Sequence, residues 1–403
     1  MTLLTGTGFA QLIPVLASPI LTRIYSPQEF GVFAFYFSLT SIINIASTGR
    51  LELAILIPKN ESLSINVLKT SVLFSFFVSL SVFLILFVFK EELVGLLDNK
   101  IEVDLLFYIP FSIIIYGLYQ NLNYWYNRKK KFKRISLNRI IQSTLIVIFQ
   151  LLFGLSISSS SEFLIISSIL GQLITLILFI LSFIKDYNYS LLKIKKSEVK
   201  LVLKRYRNFP LIDVPTMLMN LAANHAPNIF FNLMSMSSIA GNYYFTQRIL
   251  QLPVTLISGS VLDVFKEEAS ALFRERGNAK EVYLKTLKFL ISITLIPSII
   301  LFFIVEDLFP FVFGQDWSYA GSFAKILIPA LALRFIANPL SYMIYIAEKQ
   351  RINFLLMLFL LIGVISTFYL VNDYYEIIQG LSLIYCLYYF FNLIISAKLA
   401  KIF

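Results

Sequence analysis

Twelve apolar runs, each close to the length a helix needs to cross a bilayer, follow one another through the chain with only short polar breaks. They occupy residues 3–22, 31–57, 68–89, 105–126, 135–156, 163–184, 209–233, 240–264, 286–305, 319–347, 352–371 and 377–397. A spanning helix needs about 20 apolar residues, so this pattern predicts an all-α polytopic membrane protein with about twelve transmembrane helices. Composition agrees: 58% of the 403 residues are apolar and 14% are charged, whereas a soluble domain carries roughly a quarter charged residues. The N-terminal stretch lacks a basic leader region and a small-residue cleavage site, and is read as a retained first helix.

The net charge of +11 does not point to nucleic acid, because the cations sit in the gaps between runs. Helices reverse side at each span, which sorts the Lys and Arg residues into two faces. One face carries 26 of them; the other carries Arg23, Lys90 and Lys100. The positive-inside rule then places the rich face, and both termini, in the cytoplasm. Asp98, Glu102, Asp104 and most other loop acids fall outside. The exterior loops are too short for a catalytic domain, so the expectation is no enzyme. The only cysteine, Cys386, lies in an apolar run and reads as a small core residue, with no cofactor or metal implied.

The longest interior gap, 185–208, carries Lys193, Lys195, Lys196, Lys200, Lys204, Arg205 and Arg207. It is either an interfacial segment lying on anionic lipid or a plain basic linker. It divides the chain into a lobe at 1–184 and a lobe at 209–403, six helices each. Pro19 and Gly31 in the first correspond to Pro227 and Gly241 in the second, at offsets of 208 and 210. Two halves of even helix number share one orientation, so their pseudo-two-fold axis is expected along the membrane normal. Prolines interrupt the first helix (Pro14, Pro19) and the seventh (Pro210, Pro215, Pro227), and matched helix breaks point to a substrate site between halves.

Five cations fall within runs. Arg139, one turn inside its helix, and Lys325, near the outer mouth, can snorkel to the interface and are set aside. Arg248, Arg334 and Arg50 lie deeper, at roughly 10, 22 and 28 Å below the outer surface by helix rise. An arginine near the bilayer centre costs about 2.5–3.5 kcal/mol on insertion scales. With Arg23 at the outer mouth these form a ladder suited to a phosphate-bearing headgroup, which guanidinium binds bidentately. The opposing reading pairs Arg50 with Glu52 or lipid phosphate, and the others with carbonyls. Glu52, Asp213 and Asp263 lie near cytoplasmic helix ends, where a gate, a salt bridge or ion coupling would each explain them. His225 is read as a proton relay or as a hydrogen-bonded packing residue. Asn220, Asn224, Asn228 and Asn232 recur every four residues and form one polar stripe, which either lines a cavity holding sugar hydroxyls or bonds a neighbouring helix. The cavity is the expectation.

Several stretches carry a resemblance. RIYSPQEFGVFAFYFSLTSIINIASTGRLELAILIP (23–58), YRNFPLIDVP (206–215), AGNYYFTQRILQLP (240–253) and WYNRKKKFKRISLNRIIQS (125–143) resemble corresponding turns and helices of bacterial O-antigen and polysaccharide flippases. These belong to the multidrug, oligosaccharidyl-lipid and polysaccharide exporter superfamily. The resemblance implies two six-helix lobes in a V around a central cavity. It also implies alternating access that carries an undecaprenyl-diphosphate-linked oligosaccharide across the bacterial inner membrane for O-antigen, lipopolysaccharide or other surface polysaccharide. Arg23, Arg50 and Arg248 match positions of cavity arginines in such flippases; Arg334 matches no motif. Membrane lipids are implied partners, as are a polysaccharide polymerase and glycosyltransferases of the same route. The rival readings are a multidrug cation exporter of the same fold and a membrane polysaccharide polymerase or glycosyltransferase. A cation cavity favours carboxylates, and those enzymes need larger exterior loops.

Overall fold

A computed structural model describes residues 2–97, 103–186 and 195–402. Asp98, Lys100, Glu102 and Lys193, assigned to loops above, lie outside the described residues. Among the described residues the secondary structure is helical and contains no strand. Among the described residues eleven helical segments are long and apolar enough to cross a membrane, and they fall on eleven of the twelve expected runs. The chain is a multi-pass membrane protein. The seventh run is also a helix, α11 (Val214–Leu233), but four asparagines, His225 and two prolines dilute its apolarity.

The first unit begins with α1 (Thr2–Leu16) and α2 (Ser18–Ile24), one span broken at Ala17 between Pro14 and Pro19. Next comes α3 (Pro27–Ser47), which starts where Ser26 and Glu29 cap each other and Pro27 supplies the fixed φ of a first helical residue. A tight turn leads through α4 (Leu51–Ala54) to α5 (Glu61–Val88) and the short α6 (Lys90–Leu97). The spans α7 (Tyr108–Arg128), α8 (Phe132–Ser156) and α9 (Ser161–Asp186) follow. Helix α8 lies between α1 and α9, and α7 between α5 and α3. The basic linker contains α10 (Lys196–Arg205), which docks on α5. Its Val202 is fully buried with Leu51, Ala54, Ile55 and Trp125, and Glu198 meets Lys69 at 3.9 Å. The linker helix is thus seated on the first unit by its apolar side.

Two compact units divide at Gly241: Met1–Gly241 and Asn242–Phe403. Packing therefore places the boundary 33 residues beyond the end of the basic linker at 208. Helix α11 packs along α3, and the reason is polar: its asparagines and histidine find their partners there.

Helix α12 (Ser237–Pro253) begins in the first unit. A Cβ on Gly31 would stand 1.8 Å from the Ser237 carbonyl oxygen, and one on Gly241 would stand 1.8 Å from the Pro27 carbonyl oxygen. The first turns of α3 and α12 thus cross backbone to backbone, each admitting the other only because it has glycine at its fifth position. Gly31 and Gly241 stand 210 residues apart, as do Pro27 and Ser237, so the contact is reciprocal.

The second unit continues through a wide turn to α13 (Gly259–Arg276), α14 (Lys280–Phe313), α15 (Ser318–Leu340), the short α16 (Met343–Ile346), α17 (Gln350–Leu370) and α18 (Tyr374–Leu399). Helices α14 and α15 form the principal hairpin, and α15 also packs on α18. Asp373 caps α18 by accepting from the N–H groups of Tyr375 and Glu376.

Candidate functional site: a carboxylate-free polar cavity

The first unit encloses a cavity of about 630 Å³. Helix α1 contributes Thr7 and Gln11; α3 contributes Thr40, Ser41 and Asn44; α7 contributes Tyr116, Gln120 and Asn123. Helix α8 adds Arg139, Gln142 and Ser143, α9 adds Ser168 and Gln172, and α11 adds Leu221 and His225. These positions recur at three- or four-residue steps, which is why each helix turns one polar stripe inward. Phe33, Tyr36, Phe37 and Tyr119 supply aromatic wall.

Among the described residues Arg139 is the sole arginine or lysine on the wall, and no aspartate or glutamate lines it. Its Nη1 donates to Thr7 Oγ1 at 2.7 Å. The sequence reading sent this side chain to the interface. The structure corrects it: α8 starts at Phe132, so Arg139 stands two turns in, about 10 Å by helix rise, and turns to α1. The buried Oδ1 of Asn44 has no hydrogen-bond partner among the described residues. Buried polar atoms in native proteins are nearly always paired, which sets this acceptor apart.

The asparagine stripe on α11 divides. Asn232 donates to the Gly31 carbonyl at 3.0 Å and Asn228 donates to Ser38 Oγ at 3.2 Å; both are buried. These two join α11 to α3, contrary to the expectation that they face the cavity. The reason is the close approach at Gly31, which exposes a carbonyl that the amide satisfies. Asn224 donates along its own helix to Asn220, and neither lies on the cavity wall. His225 does, with Nδ1 3.2 Å from Ser38 Oγ, so it packs by hydrogen bond and carries no carboxylate partner among the described residues.

Arg50 has a different setting. Gly49 and Arg50 both adopt left-handed backbone, φ +59° and +57°, a strained conformation for arginine. The guanidinium is fixed by carboxylates: Nε donates to Asp213 Oδ2 at 2.8 Å, and Nη1 lies 3.7 Å from Glu52 Oε1. Thr48 Oγ1 donates to Glu52 at 2.5 Å. Glu52 and Asp213 therefore act as partners of Arg50, tying the α3–α4 turn to the turn that enters α11. Arg23 is exposed at the end of α2, where Nη1 donates to the Pro19 carbonyl at 2.5 Å.

In the second unit Arg334 of α15 is half-buried and lies within electrostatic reach of Tyr243 of α12 and of Tyr385, Tyr388 and Tyr389 of α18. Tyr243 and Tyr385 share a hydroxyl contact of 3.2 Å, and Gln247 donates to Tyr243 at 2.7 Å. No carboxylate pairs with Arg334 among the described residues. Arg248 is half-buried and lies beside the Tyr244 hydroxyl one turn earlier. Asp263 is exposed on α13. Lys325 donates to Glu306 at 2.5 Å and lies over the Phe302 ring.

The fold is that of the exporter superfamily. An inward-facing multidrug resistance MATE family transporter of the MOP superfamily superposes with a TM-score of 0.76 at 15% identity, covering 97% of this chain and 96% of its own. The lipid II flippase MurJ, in an inward closed conformation, gives 0.77 at 15% identity over 98% of this chain and 87% of its own. A MOP superfamily transporter from Pyrococcus furiosus, described by the reversed polarity of its binding pocket, gives 0.62 at 13% identity over 99% and 95%. No curated protein sequence matches the chain. A model of the family described as polysaccharide biosynthesis protein matches residues 20–321. With most of its length matched by that model, the chain belongs to the polysaccharide biosynthesis protein family.

Proposed function

We propose that this protein is a flippase that carries an undecaprenyl-diphosphate-linked oligosaccharide from the inner to the outer leaflet of the bacterial cytoplasmic membrane by alternating access. The observation that carries the reading is the cavity of the first unit, which is walled by amides, hydroxyls, aromatic rings and one arginine, without a carboxylate. Sugar hydroxyls need donors and acceptors in number, and an arginine suits the negative charge that accompanies them. An organic cation would meet no counter-charge there and one repelling guanidinium, which sets the multidrug reading aside. Arg334, among tyrosine hydroxyls and unpaired with acid, is the ladder member best disposed to hold a diphosphate; Arg248 is the next, and Arg23 stands at the ladder's outer mouth. Asn220 and Asn224 stand beside the glycan wall. Both termini are placed in the cytoplasm by the distribution of basic residues. Glycosyltransferases that build the oligosaccharide and a polymerase that extends it are the expected working partners.

The test is transport in proteoliposomes. Lipid-linked oligosaccharide placed in one leaflet should reach the other with the protein and remain without it. A cationic dye should not be carried. Dye movement without oligosaccharide movement would give the function to the multidrug reading.

A further inference from the structure

The cavity in the first unit is more specific than a generic sugar site, because it contains a single uncompensated positive charge. One fork of the Arg139 guanidinium is engaged by the neutral Thr7 hydroxyl, and the remaining N–H groups have only amides, hydroxyls and rings around them on the wall. A half-buried arginine without an acid is costly unless an anion arrives. On the same wall stand Asn44, whose buried Oδ1 has no hydrogen-bond partner among the described residues, and the amides of Gln120, Asn123, Gln142 and Gln172. One cation amid many neutral hydrogen-bonding groups matches a ligand with one negative charge amid many hydroxyls. A diphosphate, with two or more charges, matches it poorly.

We propose that this cavity reads an acidic sugar in the cargo, with Arg139 pairing bidentately with a ring-borne carboxylate and the amides binding the hydroxyls. The inference rests on the flippase reading and assigns that flippase a glycan containing a uronic-acid type residue. Arginine and carboxylate are matched in plane and spacing, and the aromatic wall at Tyr36, Tyr116 and Tyr119 stacks on the apolar face of a sugar ring.

The experiment measures binding to the full chain in lipid nanodiscs with three soluble probes: a galactose trisaccharide in which one residue is galacturonate, its carboxyl-reduced neutral counterpart, and inorganic pyrophosphate. A hydrogen bond to a charged group is worth about a ten- to hundredfold difference in affinity, so the acidic trimer should bind tighter than the neutral one by that factor. Arg139→Gln should abolish the difference between the two trimers, while Arg139→Lys should retain part of it. Pyrophosphate binding should not respond to either substitution. Equal affinity for the two trimers, or a preference that survives Arg139→Gln, would overturn the proposal. Pyrophosphate binding that depends on Arg139 would overturn it too, by making the residue a diphosphate clamp. Should lipid-linked oligosaccharide transport fail in proteoliposomes while the acidic preference holds, the flippase reading falls and the cavity assignment does not.

Discussion

Arg50 and Arg139 lie in the same compact unit, on turns and helices that both approach the cytoplasmic side of the expected topology, yet their surroundings are opposite. Arg50 is held by Asp213 and Glu52 on a strained left-handed turn. Arg139 has no carboxylate partner among the described residues and opens onto a cavity of about 630 Å³. A guanidinium that is already neutralised by acids serves the scaffold, and one that is not is prepared for an anion. Depth in the membrane, the criterion available from sequence, does not separate the two cases; the partner set does.

The largest expected effect breaks the comparison on the cavity side. Arg139→Glu replaces the lone cation by an anion among groups chosen for an anionic guest, and should lower oligosaccharide transport by about a hundredfold or more. Protein abundance and melting temperature should stay close to wild type, since no ion pair is lost. A fall in abundance that tracks the loss of transport would show that Arg139 supports the fold instead.

On the other side, Arg50→Glu gathers three carboxylates at one turn. Removing one partner of a fully buried pair costs about 3–5 kcal/mol. Asp213 is 38% exposed, so solvent screening reduces the expected loss to roughly 1–2 kcal/mol. A lower melting temperature in detergent would record it. The swap Arg50→Asp with Asp213→Arg should recover much of that loss, because the attraction survives with its sign exchanged. If Arg50→Glu melts normally yet abolishes transport, Arg50 binds cargo as the ladder reading has it.

A smaller effect sharpens the contrast within α11. Asn228→Leu removes a bond to α3 and should destabilise by about 0.6–1.7 kcal/mol, the range for interhelical bonds in membranes. Asn224→Leu loses only a bond within its own helix and should stay within about 0.5 kcal/mol of wild type, with thermal unfolding in detergent as the measurement. Equal destabilisation by both would return the stripe to a single role.

Much of the fold was legible because hydropathy reports spans directly. The seventh helix was read as one of the twelve apolar runs, although α11 is too polar to count among the segments apolar enough to span. The paired glycines were also legible: the offset between Gly31 and Gly241 foretold a correspondence, although not that the two helix starts would touch. The boundary between units was not, since the basic linker marks a change in charge while packing follows the asparagine bonds from α11 to α3. The cavity was missed for a related reason. Each wall residue is an ordinary Gln, Asn, Ser or Thr within an apolar run, at a spacing such as Thr7 and Gln11, Thr40 and Asn44, or Ser168 and Gln172. These short repeats were the available signal, but only the packing of six helices makes one surface of them. Arg139 was set aside because a long side chain near a helix end can always reach the interface, and nothing in the sequence says which way it turns.

The central claim is that the glycan enters the cavity of the first unit. Its most direct measurement uses the fact that Cys386 is the only cysteine. In a Cys386→Ser background, single cysteines at Gln120 and at Leu84, which is exposed on the outer surface of α5, are reacted with a small polar maleimide, with and without lipid-linked oligosaccharide. The account predicts that the oligosaccharide slows labelling at Gln120→Cys several-fold and leaves Leu84→Cys unchanged, in a protein that still transports. Labelling at Gln120→Cys that is indifferent to the oligosaccharide, with transport intact, would contradict it.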